Sequence, residues 1–281
     1  MLERIFIRFY KLFLLFIFAF SCWALVHCKG KWKTPLEFKD PDPVGLLFTE
    51  DFETGKFSSY WRFSGNAPQV DSSRARSGRF SMKTVLDRDT STIAHRTEVA
   101  GPEAELHHEY WYGFSIYLPE TYLQDKIWEV VAQWHGQPDF DIGEDWRLPV
   151  LSLRTERGIW RLFNTWDKKR NTFVDGIPVY GETEIIELGA YETGVWTDWV
   201  IHVRWSYSPF GFLRVWKNGE LVVEKIGPNC YNDEKGPYFK MGLYKGWADP
   251  NIECDAVCRR VLYHDAFRMA GNAGSFEMVM P

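Results

Sequence analysis

Three short segments carry side chains that hold anions and move protons, each at alternating positions. Ala94–Val99 carries Arg96 and Glu98. Val130–Gly136 carries Gln133 and His135, with Trp134 between them. Tyr238–Tyr244 carries Tyr238, Lys240 and Tyr244, interleaved with Phe239, Met241 and Leu243. In a strand, residues i and i+2 point the same way. Each segment therefore shows polar groups on one face and, in the last two, an apolar or aromatic opposite face. An arginine offers a fork of donors to a carboxylate, and an amide adds a hydrogen bond. An imidazole with an ordinary pKa of about 6.5 exchanges protons near neutrality, and a phenol with an ordinary pKa of about 10 arrives protonated. Together they suit a uronic-acid carboxylate and proton transfer beside it. Gly242 would leave open space between Lys240 and Tyr244, where a ligand could approach. Outward strand positions are normally polar, so the signal is the combination on three strands.

The elements that position these residues read as β almost throughout. Thirteen segments rich in Val, Ile, Tyr, Phe and Trp, separated by Gly, Pro, Asn and Asp, are predicted strands: 46–51, 80–86, 93–99, 107–118, 127–135, 149–153, 158–164, 183–188, 198–207, 211–216, 220–225, 237–245 and 259–268. Asn218-Gly219 predicts a two-residue hairpin, since both positions of a type I′ turn need positive φ. No helix longer than two turns and no internal repeat is evident. Residues 46–281 are therefore expected to form one all-β domain, a two-sheet β-sandwich of the jelly-roll kind.

Composition narrows the function. Aromatics make up 17% of the 281 residues, which excludes disorder and a coiled coil. The net charge of −5 argues against a nucleic-acid partner. Trp134, Trp199, Trp205 and Phe239 are expected in the core, and Tyr244 and Tyr238 toward a cleft. Lys168-Lys169-Arg170 is a basic loop that reads as a solvated turn or as a guide for a polyanion.

At the N-terminus, Arg4, Arg8 and Lys11 precede an apolar stretch from Leu12 to Val26, the pattern of a secretory signal. Residues 1–28 are read as a signal peptide or lipoprotein signal and 29–45 as a charged, proline-rich linker. The protein is expected to be exported (secreted, periplasmic or lipid-anchored at the cell surface), with a membrane association only through such an anchor. An oxidising compartment permits disulfides. Of the five cysteines, Cys254 is expected to bridge to Cys230 or Cys258.

The three polar segments resemble, in order, the motifs of the alginate lyases of polysaccharide lyase family 7: Arg96-Thr97-Glu98-Val99, Gln133-Trp134-His135 and Tyr238-Phe239-Lys240-Met241-Gly242-Leu243-Tyr244. Val99, Met241 and Lys245-Gly246 depart from that pattern. The Trp of Gln133-Trp134-His135-Gly136 and the run Asp198–Ser206 look more like the related glucuronan lyases and heparin lyase I. The resemblance spans about residues 46–270. It implies a concanavalin A-like jelly roll that cleaves a 4-linked uronic-acid-containing polysaccharide (glucuronan, alginate or a heparin-like glycan) by β-elimination. Arg96 and Gln133 would neutralise the carboxylate, the largest catalytic contribution in many such reactions. His135 would take the C5 proton and Tyr244 protonate the leaving oxygen, or Tyr244, helped by Lys240, would serve as base too. Glu98 would orient Arg96, and Lys240, Glu98 and Tyr238 would form the substrate-binding surround. The chemistry requires no cofactor. Glu50, Asp51 and Asp265 are oxygen donors near the first and last strands, which jelly-roll enzymes of this kind often tie with a calcium ion, and ordinary turn carboxylates are the alternative reading. A monomer is expected, with an anionic polysaccharide as partner.

Two other functions fit parts of the sequence. Asp139-Phe140-Asp141-Ile142-Gly143-Glu144 resembles the motif of laminarinase-like glycoside hydrolases, with Asp at the first position, but its glycine and the preceding Pro138 read as a loop. A non-catalytic carbohydrate-binding module would account for the aromatics alone.

Overall fold

Alternating apolar residues over segments of five to twelve residues can bury one face each, and the chain does so in two layers. The computed structural model describes residues 45–88, 95–174, 176–179, 181–247 and 257–281. The segments read as export signal and linker, 1–28 and 29–45, lie outside them except for Gly45. The strands are Leu46–Glu50 (β1), Arg62–Gly65 (β2), Gln69–Asp71 (β3), Ser81–Asp87 (β4), Arg96–Glu103 (β5), Glu109–Tyr117 (β6), Glu129–Gln137 (β7), Leu151–Glu156 (β8), Ile159–Trp166 (β9), Phe173–Val174 (β10), Ile177–Pro178 (β11), Glu182–Ala190 (β12), Trp196–Arg204 (β13), Phe212–Lys217 (β14), Glu220–Ile226 (β15), Lys235–Lys245 (β16) and Arg259–Ala270 (β17). A single helical turn, Phe276–Val279 (α1), follows β17.

One sheet has the order β15-β14-β13-β6-β17-β4-β3, with β1 also paired to β17; the other runs β12-β9-β8-β7-β16-β5-β2. All of these pairings are antiparallel. The two sheets form a β-sandwich, as the sequence predicts. Its core is aromatic. Trp134 and Phe239 from the second sheet meet Tyr112, Phe114 and Phe267 from the first. Trp134, Trp199, Trp205 and Phe239 are fully buried, as expected. Asn218 and Gly219 have φ of 51° and 83° and close the β14–β15 hairpin, the type I′ signature.

Each of the thirteen predicted segments overlaps a strand. The sequence reading passed over β2, β3, β10 and β11, which have two to four residues each. Strands that short carry too few residues to show a period; β2 and β3 add to the edges of the two sheets, and β10 and β11 pair with each other. β5 also runs on through Gly101 to Glu103, past the predicted end. Gly101 is not a turn residue: a Cβ there would fall 2.3 Å from the Trp61 ring, so the glycine makes room for that indole.

Candidate active site

The three polar segments become β5, β7 and β16, and these are neighbours in one sheet: β16 lies between β7 and β5. On the β7 side, Tyr238 pairs with His135 and Lys240 with Gln133. On the β5 side, Gly242 pairs with Glu98 and Tyr244 with Arg96. Directly paired residues share a face, so Arg96, Glu98, Gln133, His135, Tyr238, Lys240 and Tyr244 all lie on the side of the sheet away from the core. Phe239, Met241 and Leu243 point inward and are fully buried.

Gly242 does not serve the purpose expected of it. It sits at an irregularity in the β16–β7 register with φ of 138°, and a Cβ there would fall 2.2 Å from the Thr97 carbonyl oxygen. The close approach of β5 requires the glycine, not an incoming ligand. Gly242→Ala is expected to destabilise the fold by about 3 kcal/mol or more, combining backbone strain and overpacking, as read from urea unfolding. A loss below about 1 kcal/mol would show that β5 moves aside freely.

The residues divide into a buried layer and a surface layer. Glu98, Gln133 and Lys240 are each at most 3% exposed. Lys240 Nζ lies 2.5 Å from Glu98 Oε2, and Gln133 Nε2 donates to Glu98 Oε1. This corrects two expectations. Glu98 binds Lys240 and Gln133, with no hydrogen bond or ion pair to Arg96. Lys240, tied to Glu98, lies beneath the surface that a substrate would touch. The pair instead orients Gln133, and losing either partner would leave an uncompensated buried charge.

Above them lie Arg96, His135, Tyr238 and Tyr244, all half-buried. His135 Nδ1 is 2.9 Å from the Gly136 carbonyl oxygen. A carbonyl only accepts, so Nδ1 carries the proton and Nε2 of the neutral ring keeps its lone pair. Burial, opposed by the Gly136 bond and aided by the charge of Lys240, pushes the imidazole pKa down to about 4. The ring is therefore neutral at neutral pH. The Arg96 guanidinium stands 4.5 Å over the Tyr244 ring, and its buried Nε has no hydrogen-bond partner. The guanidinium has no salt bridge among the described residues, and Arg96 is half-buried, so its outer N–H groups suit a ligand carboxylate. Tyr238 flanks His135 at 5.9 Å, and burial reinforced by Glu98 pushes its phenol up to about 12.

Two tryptophans that the sequence reading did not single out complete the surface. The Trp128 and Tyr244 rings meet edge to face with their centroids 5.3 Å apart. Trp146 lies 5.4 Å from His135, is 55% exposed and contacts the exposed Phe140. Its sequence signal is a tryptophan in a polar loop, Asp145-Trp146-Arg147, where no core needs it. His95, the competing histidine, precedes β5 and packs against buried Trp247 at 5.9 Å.

Other sequence candidates have structural tasks. In Asp139–Glu144, Phe140–Ile142 is a 3-10 turn in a loop. Glu144 accepts from the backbone of Asp139 and Thr172 and pairs with Arg147, which bridges to Asp233. Arg170 of the basic loop pairs with Asp139. Among the described residues, Asp139, Glu144 and Asp233 are the one carboxylate trio with metal-like spacing, but arginine cations already compensate it. Glu50 accepts from the N–H groups of Phe52 and Ser58 and from the Trp61 indole. Asp265 accepts from Arg76, Ser77 and Ala266. Asp51 accepts from the Glu53 N–H. Cys258 is disulfide-bonded and Cys230 is a free, buried thiol, which removes Cys230 as the bridging partner; Cys254 lies outside the described residues. No helix among the described residues is long and apolar enough to cross a membrane.

The fold has solved counterparts. An endo-β-1,4-glucuronan lyase from the fungus Trichoderma reesei superposes with a TM-score of 0.70 at 19% identity, over 83% of this chain and 98% of that one. Alginate lyase A1-II', a member of polysaccharide lyase family 7, superposes with a TM-score of 0.50 at 15% identity, over 78% of this chain and 86% of that one. At such identities the likeness is one of fold. No curated protein matches the chain in sequence. The polysaccharide lyase family, however, matches residues 52–268, a span that contains β5, β7 and β16 entire, and the chain belongs to that family.

Proposed function

We propose that this lyase cleaves a 4-linked polyuronate, glucuronan first among the candidates, by β-elimination on the face formed by β5, β16 and β7. One observation carries the reading: Arg96, without a salt bridge among the described residues, and His135 with a bare Nε2 share the face of three neighbouring strands with Gln133 and Tyr244. Glucuronan is put first because of the Gln133-Trp134-His135-Gly136 motif and because the glucuronan lyase fold is spanned over 98% of its length.

In this reaction Arg96 binds the uronate carboxylate and stabilises the enolate-like charge that develops on it, and Gln133, buried and tied to Glu98, backs the site from beneath. His135 Nε2 takes the C5 proton. The electron pair left behind forms the C4–C5 double bond as the C4–O4 bond breaks, and Tyr244 gives O4 its proton. No water is consumed, and all of these roles belong to protein side chains. The enzyme acts as an exported monomer on an anionic polysaccharide. Although the chain is acidic overall, Arg96 and Arg154 lie in the site sheet without a salt bridge among the described residues and favour the approach of a polyanion.

The test is incubation with glucuronan, alginate and heparin while following the ultraviolet absorbance of the unsaturated uronate. Absorbance rising in step with new chain ends is expected. New reducing ends without absorbance would instead mean hydrolysis, and no cleavage of any of the three would remove polyuronates as substrates.

A further inference from the structure

One cross-strand row extends the site beyond the residues assigned above. Arg96 pairs with Tyr244, Tyr244 with Val130, and Val130 with Arg154. The row crosses β5, β16, β7 and β8, so Arg154 shares the face of the proposed catalytic residues. At 4.7–4.9 Å per strand, Arg96 and Arg154 are about 14 Å apart at the backbone. The Tyr244 and Trp128 rings lie between them: Trp128 touches Tyr244 at 5.3 Å and the Arg154 guanidinium at 5.3 Å.

Arg154 is held but not neutralised. Its guanidinium lies 3.8 Å over the Phe163 ring, and its Nε donates to Ser152 Oγ at 2.9 Å. Ser152 is itself paired with Gln133, so the arginine is fixed to the same frame as the site. It forms no salt bridge among the described residues. The next arginine along the row, Arg161, is paired with both Glu156 and Glu187. Burial lowers the Arg154 pKa to about 10, which still leaves it charged at neutral pH. A half-buried, oriented cation without a counter-ion is the arrangement that binds an anionic group bidentately.

We infer that Arg154 is a binding residue for the carboxylate of a second uronate, further along the same chain than the one held at Arg96, with Phe163 and Trp128 as the walls of that subsite. The inference rests on the polyuronate reading and adds to it a direction: the polymer lies across the strands, from β5 toward β8.

The experiment compares the wild type with Arg154→Met, which keeps the packing on Phe163, and Arg154→Lys, which keeps the charge but not the fork. Each is assayed on glucuronan and on alginate, over a series of sodium chloride concentrations. For the polymer that the wild type cleaves, Arg154→Met is expected to raise KM by about 10- to 100-fold, the loss of one charge-assisted hydrogen-bonded contact, with kcat changed less than severalfold. Its KM should also become less sensitive to salt, and Arg154→Lys should fall between the two. If the methionine variant does not fold, the KM of the lysine variant carries the test. An unchanged KM in the folded variants, with the wild type active, would overturn the subsite and leave the lyase reading standing. A wild type inactive on both polymers would remove the polyuronate reading first, and the subsite with it.

Discussion

His135→Asn is expected to lower kcat by about 100- to 10,000-fold, the usual contribution of a positioned general base, while the protein stays folded. Asparagine keeps a side-chain donor for the Gly136 carbonyl, which His135 Nδ1 contacts at 2.9 Å, and removes only the nitrogen that would take the proton. The same assignment fixes a pH profile. Only the neutral imidazole accepts a proton, so activity is lost as pH falls through the histidine's pKa in the folded protein. Burial has pushed that value down to about 4, so the acidic limb of wild-type kcat/KM should lie near 4 rather than near an ordinary histidine's 6.5. A limb at about 6.5 would mean that the ring is solvated in the free enzyme. Undiminished kcat in the asparagine variant would end the assignment of His135 as base.

The alternation of polar and apolar side chains in β5, β7 and β16 was legible because a strand has period two and one face of each is core. The register was not. That Lys240 meets Gln133, and Tyr244 meets Arg96, depends on three irregularities in the pairing of β16 with its two neighbours, and no local pattern encodes a bulge's position in a partner strand. Hence the sequence reading put the right residues on one face but mispaired them, joining Glu98 to Arg96 rather than to Lys240. The departure at Lys245 has a similar origin. Lys245 is fully buried and binds Asp125 at 2.6 Å and Glu129 at 2.5 Å, and Arg260 reaches the same Glu129. A lysine at the end of an apolar strand reads as exposed until partners 116 and 120 residues away are known. Trp146 and Arg154 were missed for a plainer reason. One lies in a loop and the other in a strand with no motif, and only the assembled sheet brings them beside His135 and Tyr244.

Tyr244→Phe is expected to cost a similar factor, about 100- to 10,000-fold in kcat, or about 3–5 kcal/mol of barrier, with KM nearly unchanged. Phenylalanine keeps the ring under the Arg96 guanidinium and against Trp128, so carboxylate binding and packing survive and only the hydroxyl is lost. The two variants together separate the possible divisions of labour. If His135 is the base and Tyr244 the acid, both lose kcat, and the Tyr244→Phe deficit shrinks on a substrate whose leaving oxygen departs without protonation, whereas the His135→Asn deficit does not. If Tyr244 performs both transfers, as a syn-elimination allows, its deficit persists on that substrate and His135→Asn loses chiefly KM. Undiminished kcat in Tyr244→Phe would remove the hydroxyl from the reaction. Tyr238 would not then replace it simply, because burial holds its phenol at a pKa of about 12, further from the proton exchange that a working acid needs.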